Sequence, residues 1–359
     1  MNISYNGWDQ DYEIHKSDYY AIFDKAMTKE VEGSTEELEG ILSHYTGRSH
    51  CVAVANATDA LRFSLWGIGP GDEVLVSDFS WISTSSCISM VGATPVFCDI
   101  DLNTYHISLD SIKRMTTNKT KALIYTHLYG SMSDTKEIEH WCINNGIRFI
   151  EDSAQSLGSS LNGRKAGTIG ECSSYSFNGN KVIAGISGGG MFMTDNKEHA
   201  DYVRRVRRHG KDKDFSELGY NSKMFVFNAD VIQYRMSKME SWQKRRNEIA
   251  WMYTEELDNV ICQPVSEGLS HNFHKYVIRF EDKDQRKKAK DGLKAIGLNA
   301  NIHYEKPLSA NSLYIKETHR KDNCPNSQIA SDTVMSLPVH SWLTDEEVDN
   351  ICNVLLMTI

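Results

Sequence analysis

Residues 51–77 read CVAVANATDALRFSLWGIGPGDEVLVS, and the fold class follows from the pattern of this one stretch. Two short runs rich in β-branched residues, CVAVA and EVLVS, flank a segment of helical length, and Gly-Pro-Gly-Asp at 69–72 marks the turn into the second run. Similar runs follow along the chain: TPVFCDI (94–100), KALIYTHL (121–128) and IRFIED (147–152). Strands that alternate with helices predict an α/β fold, with a mainly parallel sheet covered by helices on both faces.

The pattern changes towards the C-terminus. A long helical segment is predicted over about 226–257, followed by a strand at HKYVIRF (274–280), a helix at 284–297 and a strand at NANIHY (299–304). Thr344 is a good N-cap for a last helix, because three acidic residues follow it directly. We therefore expect a large domain over residues 1–240 and a smaller α/β domain over residues 241–359.

Composition narrows the class of protein. The 359 residues carry a net charge of −9, which argues against a nucleic-acid or membrane-surface partner, since both need a basic face. The N-terminus lacks the basic and apolar regions of a signal peptide, and no apolar run reaches the length of a membrane span. The eight cysteines are scattered without a Cys-x-x-Cys pair, which indicates reduced thiols and no metal site. A cytoplasmic location is expected.

The stretch Ser176–Met191, SFNGNKVIAGISGGGM, contains one lysine followed by a glycine cluster. Lys181 could be a solvated lysine, a phosphate-loop lysine or a lysine that forms a Schiff base. In a phosphate-loop motif the glycines precede the lysine, whereas here they follow it, which argues against a P-loop phosphotransferase. No strand leads into Gly-x-Gly-x-x-Gly, which argues against a dinucleotide-binding oxidoreductase.

Other strand ends are also rich in functional groups. Asn56-Ala57-Thr58-Asp59 begins a helix and suits either a phosphate or an ordinary N-cap. Glu151-Asp152 ends a strand and suits either a turn or the cationic ring nitrogen of a ligand. Trp81 suits either core packing or stacking on a ring. An amine, a carboxylate, a flat ring and a phosphate site together are what pyridoxal phosphate requires.

The chain resembles the DegT/DnrJ/EryC1/StrS family of pyridoxal-phosphate-dependent nucleotide-sugar aminotransferases. The resemblance covers about residues 31–350 and rests on stretches such as GPGDEVLVSDFSW, EDSAQSLGS, SYSFNGNK, GYNSKM and SLPVHSWLTDEEVD. It implies the fold-type I architecture, in which helices sandwich a mixed, mostly parallel seven-stranded sheet and a smaller C-terminal α/β domain follows.

The resemblance also implies roles for individual residues. Lys181 matches the catalytic lysine that forms the Schiff base, and Asp152 matches the aspartate that pairs with the pyridinium nitrogen. The other cofactor-binding positions are Gln155 beside the phenolic oxygen, Trp81 on the ring, and Thr58, Asp59 (through their amides) and Ser176 at the phosphate. Asn221 matches the asparagine that reaches the phosphate of the neighbouring subunit, which implies a homodimer with shared active sites.

The activity implied is transfer of an amino group from L-glutamate to C3 or C4 of a nucleotide-linked keto-deoxysugar, in surface polysaccharide or glycan synthesis. Some relatives that act as sugar dehydratases carry histidine in place of the Schiff-base lysine. This chain has Lys181 at that position, which favours transamination. A keto-cyclitol acceptor and a non-catalytic regulatory role stay open. Lys223, Glu305 and Ser309 depart from the family pattern near the expected sugar and nucleotide.

Some residues allow two interpretations. His303, Tyr304 and His340 are candidate substrate contacts, although a histidine in a strand or loop is often structural. The basic run Arg204–Lys213 either meets a diphosphate across the dimer interface or forms a solvated helix end.

Overall fold

The computed structural model describes residues 3–28, 33–212, 214–215 and 217–359. Among these residues the strands are β1 His50–Val54, β2 Glu73–Ser77, β3 Thr94–Cys98, β4 Thr120–Thr126, β5 Arg148–Asp152, β6 Ser160–Leu161, β7 Arg164–Lys165, β8 Cys172–Ser176, β9 Gly190–Thr194, β10 Ile261–Cys262, β11 Leu269–Ser270, β12 Tyr276–Arg279, β13 Arg320–Lys321 and β14 Val334–Leu337.

The helices in the same part of the chain are α1 Trp8–Thr28, α2 Ser34–Thr46, α3 Ala57–Ser64, α4 Ser83–Met90, α5 Leu109–Met115, α6 Lys136–Asn144, α7 Lys197–Val206, α8 Val226–Met236, α9 Met239–Glu256, α10 Lys283–Ala295, α11 Ser312–Lys316, α12 Pro325–Thr333 and α13 Asp345–Thr358. Two short 3₁₀ turns lie at Leu128–Gly130 and Leu308–Ala310. No helix in the described ranges is both long and apolar enough to cross a bilayer.

The large sheet has the strand order β1-β9-β8-β5-β4-β2-β3-β13. Strand β9 runs antiparallel to both of its neighbours, and the other pairings are parallel. The α/β class and the mixed, mostly parallel sheet are confirmed. The expected seven strands are present, and the two-residue strand β13 from the C-terminal part adds an eighth at the edge.

Alternation of side chains along the strands explains the layers. In β2, Val74 and Val76 pack into one apolar cluster with Phe63 of α3, whereas Leu75 packs into another with Ile138 of α6. Successive strand side chains point to opposite faces, so a strand that is apolar throughout is covered on both sides. The continuous runs in the sequence therefore correspond to strands buried between two helical layers.

The C-terminal part forms a second, smaller sheet of β10, β12 and β14, all antiparallel. It shares an apolar core with α9, α10 and α13, to which Ile3 also contributes. The expected boundary at residue 240 stays a prediction, and it falls just inside α9.

Two local expectations are wrong. The predicted helix over 226–257 is interrupted at residues 237 and 238, which separate α8 from α9. NANIHY contains only an isolated bridge between Asn301 and Ser336 in place of a strand. The periodicity of apolar residues indicates the type of an element better than its boundaries, so it did not reveal the break at 237 and 238.

Candidate active site

The carboxyl ends of β2, β5 and β8 bring the candidate residues to one edge of the large sheet. Asp152 ends β5 and Ser176 ends β8, while Trp81 follows β2 after a short loop. In open parallel sheets ligands collect at this edge, so the sheet topology gathers residues that are far apart in sequence.

Glu151 and Asp152 are adjacent but have different environments. Glu151 is fully buried and accepts hydrogen bonds from His127 and from the amides of Gly167, Ile169 and Gly170. Burial alone would raise the pKa of Glu151, but these hydrogen bonds bring the pKa below its usual value. Glu151 is therefore a structural anchor for the chain that follows β7, which leaves Asp152 as the candidate residue for the site.

Asp152 is only 4% exposed, and its Oδ2 atom accepts a hydrogen bond of 2.7 Å from the Thr84 hydroxyl. Its Oδ1 atom accepts a bond from the amide of Ala154. Burial raises the pKa of Asp152, opposed by the Thr84 bond and by the charge of Lys181. A cationic group placed against this carboxylate would keep it ionised.

Thr84 was missed by the sequence analysis. It lies in the first turn of α4, three residues after Trp81, and its backbone amide donates to the carbonyl of Trp81 at 3.1 Å. The spacing Trp-x-x-Thr before a run of small residues was the available signal.

Gln155 and Tyr304 form a second polar contact at the same edge. Gln155 Nε2 donates to the Tyr304 hydroxyl at 3.2 Å, and Gln155 Oε1 accepts from the amide of Tyr129. Tyr304 is half-buried, and burial raises the pKa of its hydroxyl, so this group remains protonated. The structure thus places Tyr304 beside a predicted cofactor residue.

Trp81 is 56% exposed, which excludes core packing. The centroid of its ring lies 6.1 Å from that of Tyr304. An exposed indole three residues before Thr84, the partner of Asp152, is available to stack on a planar ligand.

The start of α3 forms the candidate phosphate site. The Thr58 hydroxyl donates to Ser83 at 3.0 Å, and Asn56 caps the helix by accepting the amide of Asp59. The N-cap interpretation of this stretch is confirmed, and the phosphate site stays a prediction. The Asp59 amide already has a partner, however, and a phosphate would have to share it.

Gly190, the last glycine of the cluster, allows β9 to pass this helix start. A Cβ atom at Gly190 would lie 2.4 Å from the carbonyl carbon of Asn56. Gly190 thus permits a close approach of two backbones at the candidate phosphate site.

Lys181 is half-buried in the loop between β8 and β9, and its side chain borders two cavities. Gln155 and Ser176 also line the smaller cavity. Burial lowers the pKa of Lys181 to about 8, although the charge of Asp152 opposes this shift. A lysine that is partly neutral near physiological pH is a nucleophile, which an ordinary solvated lysine is not.

Asn221 is exposed and lies next to Ser222, whose hydroxyl donates to Asp59 at 2.6 Å. The segment GYNSKM therefore runs past the candidate phosphate site, with Asn221 facing outward.

The two candidate histidine contacts, His303 and His340, differ in their position relative to Lys181. His303 hydrogen-bonds with Ser336, and burial lowers the pKa of His303 to about 3. His340 hydrogen-bonds with the carbonyl of Ser4, and burial lowers the pKa of His340 to about 4. Both histidines are neutral at physiological pH, and of these two only His340 borders the larger cavity at Lys181.

Three of the six cations in the basic run form ion pairs within the chain. Arg204, Arg205 and Arg207 form ion pairs with Asp201, Glu217 and Glu39, respectively. Helix α7 ends at Val206, and Lys213 lies outside the described residues. These pairs favour a structural role for the three arginines.

A comparison with models of protein families matches residues 21–356 to the DegT/DnrJ/EryC1/StrS aminotransferase family. The chain belongs to this family. It is accordingly a pyridoxal-phosphate-dependent aminotransferase.

Three relatives match the chain over about nine tenths of its length or more. A pleiotropic regulatory protein of Geobacillus stearothermophilus is 30% identical over 97% of this chain and 96% of its own. UDP-N-acetyl-3-dehydro-alpha-D-glucosamine 3-aminotransferase of Acidithiobacillus ferrooxidans is 32% identical over 90% of this chain and 88% of its own. UDP-2-acetamido-2-deoxy-3-oxo-D-glucuronate aminotransferase of Pseudomonas aeruginosa is 32% identical over 89% of both chains.

Solved structures show the same fold. A DegT DnrJ EryC1 StrS aminotransferase from Brucella abortus superposes with a TM-score of 0.92 at 29% identity over 99% of both chains. The PLP form of an aminotransferase from Streptococcus pneumoniae gives a TM-score of 0.87 at 26% identity, over 95% of this chain and 96% of that one.

The residues at this aminotransferase site fit the cofactor. Pyridoxal phosphate, when bound, supplies an aldehyde and an electron-withdrawing pyridinium ring. Lys181 offers an amine of lowered pKa, Asp152 a buried carboxylate and Trp81 an exposed flat ring. The start of α3 offers a helix dipole with hydroxyls from Thr58 and Ser83. The individual contacts with the cofactor remain predictions.

Proposed function

We propose that the protein transfers an amino group from L-glutamate to a keto group, at C3 or C4, of a nucleotide-linked deoxysugar. The observation that carries the proposal is the state of Lys181 at the binding edge of the sheet. Burial lowers the pKa of Lys181, and the charge of Asp152 acts on the same amine. The names of two relatives, which are aminotransferases of UDP-linked 3-keto sugars, support a nucleotide-sugar acceptor.

Each side chain has a chemical task in this proposal. Lys181 binds the cofactor through its amine and, once released, moves a proton to and from the reacting carbon as a neutral base and then a cation. Asp152, oriented by Thr84, holds a proton on the ring nitrogen. Gln155, Trp81 and Ser176 position the ring and the phosphate.

The proposed assembly is a homodimer in which Asn221 of each chain completes the partner's phosphate site. Two large apolar side chains near Asn221, Leu218 and Phe225, are well exposed in the single chain, which supports a covered interface there. A cytoplasmic enzyme of surface polysaccharide or glycan synthesis would find its nucleotide-sugar substrates in the same compartment.

A regulatory role is the second candidate, because a relative that matches this chain over nearly its whole length is named a regulatory protein. The intact set of Lys181, Asp152 and Gln155 favours catalysis, since a purely structural cofactor would not require a nucleophile of lowered pKa.

The test is the absorbance spectrum of the cofactor-loaded protein before and after L-glutamate is added. We expect a band from the lysine-bound cofactor that L-glutamate converts to that of the aminated cofactor, and no such band in Lys181→Ala. Lys136→Ala, which changes an exposed lysine far along the chain, should behave as the parent does.

A second step separates the two candidates. The aminated enzyme is offered UDP- and dTDP-linked 3-keto and 4-keto sugars, and return of the original band identifies the acceptor. A band that L-glutamate leaves unchanged would reject the donor, and an aminated enzyme that no keto sugar reoxidises would favour the regulatory role.

A further inference from the structure

A second lysine, Lys275, shares the larger cavity with Lys181. This cavity encloses about 640 Å³ between atoms, part of it open to solvent, and reaches from Lys181 to α9 and to the segment before β12. Lys275 is only 7% exposed, in contrast with most lysines, which keep their charge in water. A buried lysine next to a nucleophilic lysine requires an explanation.

The cavity is strongly cationic. Lys181, Arg235, Arg246 and Lys275 line it, and the one carboxylate in the lining, Asp11, is already bound to Arg235 at 2.6 Å. Within the described ranges, Lys275 and Arg246 have no carboxylate at ion-pair distance, and the Nε atom of Arg246 is buried without a hydrogen-bond partner. Lys275 is buried, and Arg246 is half-buried with its Nη1 atom donating to the carbonyl of Phe273 at 2.8 Å. Cations held out of water without a counter-ion are costly, so a ligand anion would relieve the cost.

The N-terminal segment covers these cations. The Lys275 ammonium lies 5.1 Å from the centre of the Tyr5 ring, and Trp8 Nε1 donates to the carbonyl of Gly179 at 3.1 Å. Gly7 has no room for a side chain, because its Cβ atom would lie 2.5 Å from His340 Nδ1. The covered end of the cavity suits a compact anion better than a nucleoside diphosphate, which extends over many ångströms.

The pKa values of Lys275 and Arg246 agree with their burial in the cavity. Burial, with the charges of Lys181 and Arg246, lowers the pKa of Lys275 to about 7, and burial lowers the pKa of Arg246 to about 10. An anion between the two side chains would restore their full charge. Lysine and arginine together can also donate several charge-assisted hydrogen bonds to the two oxygens of a carboxylate.

We propose that Lys275 and Arg246 form a carboxylate subsite beside Lys181, which holds a substrate carboxylate while the substrate reacts at the cofactor. This inference rests on the proposed function. The carboxylate could come from the amino donor, since L-glutamate has two, or from a hexuronate acceptor.

The test measures equilibrium binding to the cofactor-loaded enzyme by calorimetry, without turnover. Glutarate, a dicarboxylate that lacks an amine, represents the donor, and glutaramide is its uncharged counterpart. We expect Lys275→Met to weaken glutarate binding about 10- to 100-fold, as expected for loss of a charge-assisted bond, and to leave glutaramide unchanged. Lys275→Arg should retain most of the affinity.

The acceptor is tested in the same way with UDP-glucuronate and UDP-glucose, which differ in the sugar carboxylate. A loss confined to glutarate assigns the subsite to the donor, and a loss confined to UDP-glucuronate assigns it to the acceptor. Lys287→Met, at an exposed lysine paired with Asp291, is the matched control.

Two results would overturn the inference: unchanged affinity for both carboxylates in Lys275→Met, or an equal loss in Lys287→Met. If Lys275→Met does not fold, Lys275→Gln provides the same comparison. If glutarate binds through Lys275 but L-glutamate leaves the spectrum unchanged, the proposed function fails and the subsite stands. If the spectrum responds and glutarate binding is independent of Lys275, only the subsite fails.

Discussion

Adjacent carboxylates at the end of β5 show how strongly the surroundings determine the role of a residue. Glu151 receives a histidine and three backbone amides in a buried pocket, whereas Asp152 receives Thr84 and faces the binding edge. The alternation of side chains along a strand places these two acids on opposite faces. One carboxylate therefore stabilises the fold while its neighbour is free to serve a ligand.

Glu151→Gln should lower the free energy of unfolding by about 3 kcal/mol, because its amide group would turn a donor towards buried donors. Chemical denaturation measures this change. Glu198→Gln, an exposed exchange on α7, should stay within about 0.5 kcal/mol of the parent. If Glu151→Gln is as stable as this control, the anchoring role is wrong.

The lowered pKa of Lys181 predicts how cofactor capture depends on pH. The neutral amine is the reactive form, and its fraction falls about tenfold for each pH unit below a pKa of about 8. Rates of cofactor binding to the apoprotein, followed by stopped-flow absorbance, should therefore rise with pH and level off above about 8. A rise that continues towards pH 10 would indicate an ordinary lysine.

At the level of single elements, the start of α13 could be predicted from the local sequence alone. Thr344 caps the amide of Glu347 at 3.2 Å, and Glu347 accepts the amide of Thr344 at 2.9 Å, which forms a capping box. The helix packs into the apolar core of the C-terminal part, and none of its residues lines the two cavities at Lys181.

Thr344→Ala should lower the free energy of unfolding by about 1 kcal/mol, through loss of the side-chain cap, and leave cofactor affinity unchanged. Thr344→Ser keeps the acceptor oxygen and should restore most of the stability. Thermal unfolding with and without cofactor tests both statements. A loss of cofactor affinity in Thr344→Ala would show that α13 is coupled to the site.

At the scale of the whole molecule, the proposed dimer determines which residues form each active site. Asn221 is exposed in one chain and lies beside the candidate phosphate site of that chain, although the family resemblance assigns it to the partner's phosphate. Each active site would then depend on Lys181 from one chain and on Asn221 from the other.

Mixed dimers test this sharing. Lys181→Ala and Asn221→Ala homodimers should both have low activity, but a mixed dimer carries both changes in one site and none in the other. Refolding an equal mixture should therefore restore about a quarter of the parent activity per active site, because about half of the dimers are mixed. Mixtures no more active than the separate variants would exclude shared sites.

Local sequence determined much of this protein. The alternating runs specify the strands of the large sheet, and the residues around Lys181, Asp152 and Trp81 supply the groups that a pyridoxal phosphate site requires. These features depend on short-range physics: side-chain periodicity, turn residues and helix caps act over a few neighbouring positions. The corresponding expectations for the fold class are accordingly confirmed.

Long-range packing determined the rest. Whether Glu151 or Asp152 faces the site, whether Trp81 is exposed, and whether Thr84 reaches Asp152 depend on segments far apart in the chain. The burial of Lys275 beneath Tyr5 joins residues about 270 positions apart, and nothing in the local pattern HKYVIRF distinguishes it from a surface lysine. Desolvation and charge are set by every element that packs around a group, so only the tertiary structure shows which amines and carboxylates are altered.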